Sequence, residues 1–71
     1  MQHQFSPREF AVSLAFARGW NAALAGERLL MNPYSRFASV EHGAWRKGYD
    51  MQSNAGLAIP LPHPFLRSAT L

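Results

Sequence analysis

The side chains that could carry acid–base or metal chemistry are few in this chain and scattered along it. They are four carboxylates and three histidines: Glu9, Glu27, Glu41, Asp50, His3, His42 and His63. Glu41 and His42 are neighbours in sequence, but adjacent positions on a helix point apart. No two histidines stand four residues apart and the chain has no cysteine, so no zinc site is predicted. We therefore expect a non-enzymatic protein with no metal and no cofactor.

Binding chemistry is better represented, because seven basic residues give a net charge of +3 and an isoelectric point near 10.2. Such mild basicity suits an RNA or an acidic protein as partner, without requiring either. Only Arg46 and Lys47 are adjacent, so each basic residue taken alone is also compatible with an ordinary solvated surface.

Composition bounds the architecture and the compartment. A chain of 71 residues holds one domain at most. It is 48% hydrophobic and 15% charged, which indicates that a partner, either a second copy in a homodimer or another molecule, covers apolar surface. No apolar run is long enough to span a membrane. The segment 10–17 imitates a secretion signal, but it is short and follows Glu9, so a cytoplasmic location is predicted.

The first element that must position the binding residues is a helix predicted over about 7–30. Ser6, Pro7 and Glu9 form the start signal, a capping box with proline at the first helical position. Pro33 ends the helical pattern, since proline disfavours helical geometry in the residue before it.

A second helix is predicted over about 40–54, with Ser39 as its cap and Gly56 as its terminator. Prolines at alternate positions then exclude a helix: Pro60, Pro62 and Pro64. The sequence thus predicts an all-α helix-loop-helix hairpin in residues 1–56. An extended, apolar, Pro-rich tail in 57–71 is expected either to be flexible or to dock on the helices or on a partner.

Small residues recur along one side of the first helix at steps of three and four. They are Ala11, Ala15, Gly19, Ala22 and Gly26. A glycine inside a helix costs about 1 kcal/mol relative to alanine, so such a seam indicates close approach of another element. Trp45 or Tyr49 is expected to lie across Gly19, and Gly43 and Gly48 are expected to allow close approach in return.

Taken together, three segments resemble the ribosome modulation factor family of small bacterial proteins, to which short plasmid and phage proteins are related. The segments are RGWNAALAG at 18–26, PY at 33–34 and WRKGY at 45–49. The likeness runs from Ala15 to Tyr49, about half of the chain. The first ten residues lack the dense positive charge of the family, and the Pro-rich tail has no counterpart in it.

The resemblance implies a helix-loop-helix protein that binds the small ribosomal subunit and promotes translational inactivity. It implies RNA contacts by basic residues, with Tyr34 free either to stack on bases or to build the fold. The candidate contacts for RNA or another partner are Arg18, Arg28, Tyr34, Arg36, Arg46 and Lys47. The residues assigned to the structural motif are Gly19, Trp20, Ala22, Gly26, Pro33, Trp45, Gly48 and Tyr49.

A second function stays open from the residues themselves. The hairpin could be a protein-interaction module, such as an accessory protein or a phage-type inhibitor that grips a host protein through apolar surface. That function predicts an exposed apolar patch and no coherent basic face, whereas ribosome binding predicts a basic face built from both helices.

Overall fold

The computed structural model describes residues 6–62, and all regular structure in this part of the chain is helical. Helix α1 spans Pro7–Leu24, one 3-10 turn spans Leu29–Met31, and helix α2 spans Ser39–Ala55. The two helices pack against each other, so the predicted all-α helical hairpin is confirmed. Neither helix combines the length and the apolar character that crossing a membrane requires.

The start of α1 follows the predicted capping box. The backbone N–H of Glu9 donates to Oγ of Ser6 at 3.2 Å, and the backbone N–H of Ser6 donates to Oε1 of Glu9 at 3.1 Å. Pro7 occupies the first helical position, where a missing N–H costs nothing because that N–H would have no partner within the helix. These three residues therefore fix where α1 begins.

The end of α1 corrects the sequence prediction, because the helix stops at Leu24 and does not continue to Leu30. Gly26 adopts a left-handed conformation with φ of +79°. Its N–H donates to the carbonyl of Ala23, and the N–H of Glu27 donates to the carbonyl of Ala22. This pattern is a Schellman motif, which closes a helix. Gly26 is thus a terminator and takes no part in the packing seam.

Helix α2 runs one residue beyond the predicted bounds at each end. Its N-cap is Ala38, which makes no side-chain capping bond, so the prediction of Ser39 as the cap is wrong. Ser39 is instead the first helical residue. Gly56 ends the helix in the left-handed conformation with φ of +67°, which confirms the predicted terminator.

The helices meet backbone to backbone at two glycines. A Cβ atom added to Gly19 would overlap the carbonyl oxygen of Trp45 and stand 2.6 Å from its carbonyl carbon. A Cβ added to Gly48 would overlap the carbonyl oxygen of Phe16 and stand 3.0 Å from the backbone nitrogen of Trp20. The predicted close approach at Gly19 and Gly48 is confirmed, whereas the prediction for Gly43 is wrong, because a Cβ added there would meet nothing within 4 Å. The backbone of Trp45, rather than its ring, lies against Gly19.

The Trp45 side chain forms the centre of the core and is 2% exposed. It packs with two small residues of the α1 seam, Ala15 and Ala22, which are also buried. The half-buried ring of Tyr49 stacks on the Trp45 ring with centroids 5.3 Å apart, and its hydroxyl donates to the carbonyl of Glu27. The small residues of α1 thus make room for one large aromatic side chain of α2.

The described part of the Pro-rich tail docks on α1, which decides between the two states expected for it. The Asn21 carboxamide pairs with both backbone polar groups of Leu61, each at 2.9 Å. Asn21 lies one turn beyond Ala17, which is 4% exposed on the side of α1 opposite Gly19. The predicted segments 1–5 and 63–71, with His3, His63 and Pro64, lie outside the described residues.

We predict that Gly19→Ala and Gly48→Ala each lower the free energy of unfolding by about 1–3 kcal/mol, because the new methyl group forces the helices apart. Urea denaturation followed by circular dichroism measures the change. The matched control is Gly43→Ala, also inside α2. A Cβ at Gly43 meets nothing within 4 Å, so this variant should gain about 0.5–1 kcal/mol from helix propensity. A Gly19→Ala protein as stable as Gly43→Ala would contradict the crossing.

Candidate functional site

The Asn32 side chain holds the middle of the linker on α2. Its Nδ2 donates to the carbonyl of His42 at 3.2 Å, and its Oδ1 accepts from the backbone N–H of Tyr34 at 3.0 Å. A side-chain amide that accepts from the backbone two residues later is a local turn device. Asn32 therefore sets the direction of the chain through the exposed Pro33 and fixes Tyr34 relative to α2.

Linker and α2 enclose a surface pocket of about 310 Å³. Two of the predicted partner-binding arginines line it, Arg36 from the linker and Arg46 from α2, together with the half-buried Tyr34 and with His42. No carboxylate belongs to its lining among the described residues. The pocket thus combines two cationic forks and an aromatic ring, which suits an anionic, planar or phosphate-bearing ligand.

Asp50 competes only weakly with such a ligand for the Arg46 side chain. Nε of Arg46 lies 3.9 Å from Oδ2 of Asp50, one helical turn away, and the two side chains are 61% and 55% exposed. An exposed pair at this spacing contributes about 0.3–0.5 kcal/mol. A phosphate held by two arginines at once can therefore displace the contact.

Arg18 does not line this pocket but contacts Tyr34 from the side of α1. Its Nη1 donates to the Tyr34 hydroxyl at 3.2 Å, so the ring is held between both helices. Arg18 also lines a second depression, where Glu27 supplies a carboxylate beside the Trp45 and Met31 side chains. Mixed charge makes that second depression a poorer anion site than the pocket around Tyr34.

Two of the predicted contacts fall outside this arrangement. Arg28 is exposed and precedes the 3-10 turn, and it lines neither of these depressions. Lys47 is exposed and lies two residues from the buried Trp45, which places it on the outer side of α2. The structure thus separates Lys47 from its sequence neighbour Arg46.

Sequence reasoning missed Phe37, which is 100% exposed and follows Arg36 directly. Its backbone N–H donates to Oγ of Ser35 at 3.0 Å, a turn that presents the ring to solvent. It also missed His42 as a pocket residue, although His42 and Arg46 stand at the i,i+4 spacing that places helical residues side by side. Asn32 carried no signal beyond being a polar residue before proline.

No group of three or more histidine, aspartate or glutamate side chains is placed to hold a metal ion within residues 6–62.

No protein-family model, characterised protein or solved structure matches this chain. The resemblance to the ribosome modulation factor family therefore stays a hypothesis that depends on the three sequence segments.

We predict that Asn32→Ala lowers the free energy of unfolding by about 1–2 kcal/mol, because it removes two hydrogen bonds and leaves the half-buried N–H of Tyr34 without its partner. The Tyr34 amide resonance should shift at the same time. Ser35→Ala is the control, since it deletes one exposed linker bond and should change stability by less than about 0.5 kcal/mol. Equal effects of the two substitutions would show that Asn32 does not hold the linker.

Proposed function

We propose that this chain is a small, non-enzymatic RNA-binding protein that associates with the small ribosomal subunit and promotes translational inactivity. One observation carries the RNA part: Arg36 and Arg46, ten residues apart in sequence, converge with Tyr34 on one pocket without a carboxylate among its described lining residues. The ribosome as the source of that RNA comes from the resemblance to the ribosome modulation factor family.

The pocket would bind the phosphate backbone of the RNA. Arginine presents five N–H donors in a planar fork that matches two phosphate oxygens at once. Arg36 and Arg46 supply two such forks. One N–H group of Arg18 already donates to the Tyr34 hydroxyl. Arg18 on α1, Arg36 in the linker and Arg46 on α2 would together supply the basic face that ribosome binding predicts.

Phe37 supplies a contact of a different kind. A fully exposed aromatic ring next to an arginine is typical of proteins that stack on unpaired bases. Stacking tolerates any base, because every base has an aromatic face. Arg36 and Phe37 together would therefore hold a single-stranded or looped RNA segment without a strict sequence requirement.

A second candidate, the protein-interaction module, is favoured by the exposed apolar side chains of the linker. Leu30 is 89% exposed, Met31 61% and Phe37 100%. A partner that covers these side chains would bind through apolar contact, which salt does not weaken. Salt dependence therefore separates the two functions, since contacts to phosphates release counterions and weaken as salt rises.

We predict that Arg46→Ala weakens binding to purified bacterial small ribosomal subunits about tenfold, which corresponds to about 1.4 kcal/mol. Fluorescence anisotropy of the labelled protein at low and moderate salt measures the affinity, and sucrose-gradient sedimentation of host lysate checks the association. Lys47→Ala is the matched control: it removes the same charge from the adjacent position, outside the pocket, and should change affinity about threefold at most.

Two results would contradict the proposal. Equal losses in Arg46→Ala and Lys47→Ala would show that general charge, rather than the pocket, binds the partner. Cosedimentation that moderate salt leaves unchanged, or with a complex other than the ribosome, would instead favour the protein-interaction module.

We also predict that Phe37→Ala lowers affinity for an unpaired RNA segment by about 1–3 kcal/mol if the ring stacks on a base. The melting temperature should not fall, because the side chain buries no surface in the hairpin. Phe37→Leu is the control that keeps an apolar side chain and loses the aromatic face. A Phe37→Leu protein that binds RNA as well as the original chain would exclude stacking.

A further inference from the structure

The tail segment 57–62 is held on α1 by hydrogen bonds to its backbone, and Leu61 is also half-buried. The Asn21 carboxamide donates to the Leu61 carbonyl and accepts from the Leu61 N–H, each at 2.9 Å. Two residues earlier in the tail, the carbonyl of Ile59 accepts from Nε1–H of Trp20 at 2.6 Å. Trp20 and Asn21, which are adjacent on α1, therefore hydrogen-bond to Ile59 and Leu61 of an extended segment.

The proline pattern of the segment explains why these backbone groups are the ones gripped. Pro60 and Pro62 carry no N–H, so Leu61 holds the one backbone donor of 60–62. Each proline also restricts the residue before it to extended geometry, which here affects Ile59 and Leu61. The backbone is thus stiff before it docks, and little conformational entropy is lost when Asn21 pairs with it.

Two apolar side chains of the segment contribute less to its attachment. Leu57 and Ile59 remain 50% and 59% exposed although the backbone beside them is fixed. On the α1 side, the Trp20 ring lies next to the Phe16 ring, with centroids 6.4 Å apart. An aromatic pair with an indole N–H donor and a polar side chain that reads the backbone is the arrangement used to recognise stiff, proline-rich segments.

We propose that Trp20 and Asn21 form a recognition site for an extended segment of the pattern apolar residue–proline–apolar residue–proline, and that residues 59–62 are its resident ligand. The exchange ligand is such a segment in another protein. Its backbone meets the same three hydrogen-bonding groups of Trp20 and Asn21. This site is independent of the arginine pocket.

Tethering sets the concentration at which exchange occurs. The segment leaves α2 at Gly56, and the Gln52 side chain also donates to the Leu57 carbonyl, so the resident ligand starts beside its site. A short tether gives an effective concentration in the millimolar range. A foreign segment of equal intrinsic affinity must therefore reach that range, and a change that weakens the resident contact opens the site at lower concentrations.

The first test releases the resident segment in the full-length chain. Leu61→Pro removes the N–H that Asn21 accepts from, whereas Leu61→Ala keeps both backbone groups. In ¹⁵N-correlated NMR spectra, the side-chain amide of Asn21 and the indole N–H of Trp20 should move to solvent-exposed positions in Leu61→Pro. They should stay near their original positions in Leu61→Ala, and the core Trp45 indole should report an intact hairpin in both. Unchanged spectra in Leu61→Pro, or equal release in both variants, would overturn backbone recognition.

The second test adds ligand in trans to the Leu61→Pro protein. A hexapeptide with the sequence of residues 57–62, at millimolar concentration, should return the Asn21 and Trp20 signals to their original positions. The same peptide with both prolines replaced by alanine should not. Failure of the first peptide, or equal success of the second, would overturn the site. Sedimentation of the original chain should show a monomer; a dimer with both signals engaged would assign the site to a second copy's tail and overturn the foreign ligand.

Discussion

The contact of one helix backbone with the other at Gly19 and Gly48 is the constraint on which the rest of the structure depends. Each glycine faces backbone atoms of the opposite helix at a distance that no side chain could occupy. Because the backbones touch, a single tryptophan fills the core: Trp45 is enclosed by Ala15 and Ala22. A chain with little interior volume thereby obtains a close-packed centre, and the stability lost to glycine inside each helix is offset by packing.

The same crossing determines where the binding groups lie. It brings the end of α1 near α2, so that Tyr49 reaches the Glu27 carbonyl and Arg18 reaches Tyr34. The linker then has to cover the remaining gap, and Asn32 attaches it to the His42 carbonyl. The arginine pocket is a consequence of this last contact, since its lining comes from the linker and from α2.

Local rules made part of the fold predictable from the sequence. The capping box at Ser6 and the terminator at Gly56 are signals that a few neighbouring residues complete, and spacing along a helix placed Gly19 in the seam. The prediction that Gly26 belongs to the seam was wrong for a related reason. Gly26 continues the same spacing, but it adopts a left-handed conformation, which depends on the chain turning away from α1. A periodic pattern does not distinguish a glycine that packs from a glycine that ends a helix.

The site was predictable only in its residue types. Arg36 and Arg46 could be named as basic, but their convergence requires the Asn32 contact, and the separation of Lys47 follows from the orientation of α2. The contact of Asn21 with Leu61 joins residues 40 positions apart, and neither residue signals the other. Polar side chains that read a distant backbone carry no periodicity, so such contacts become visible only in three dimensions.

The weakly supported start of α2 has a consequence for motion. Its N-cap makes no side-chain hydrogen bond. At Gly43, one turn into the helix, an added Cβ would meet no atom within 4 Å. The first turn of α2 therefore opens at a lower free energy than the segment around Trp45, and its amides exchange hydrogen with solvent sooner. Since the His42 carbonyl anchors Asn32, each such opening frees the linker. The linker side of the arginine pocket and His42 thus lie in the part of the hairpin that unfolds locally, whereas Arg46 lies beside Trp45 in the part that stays closed.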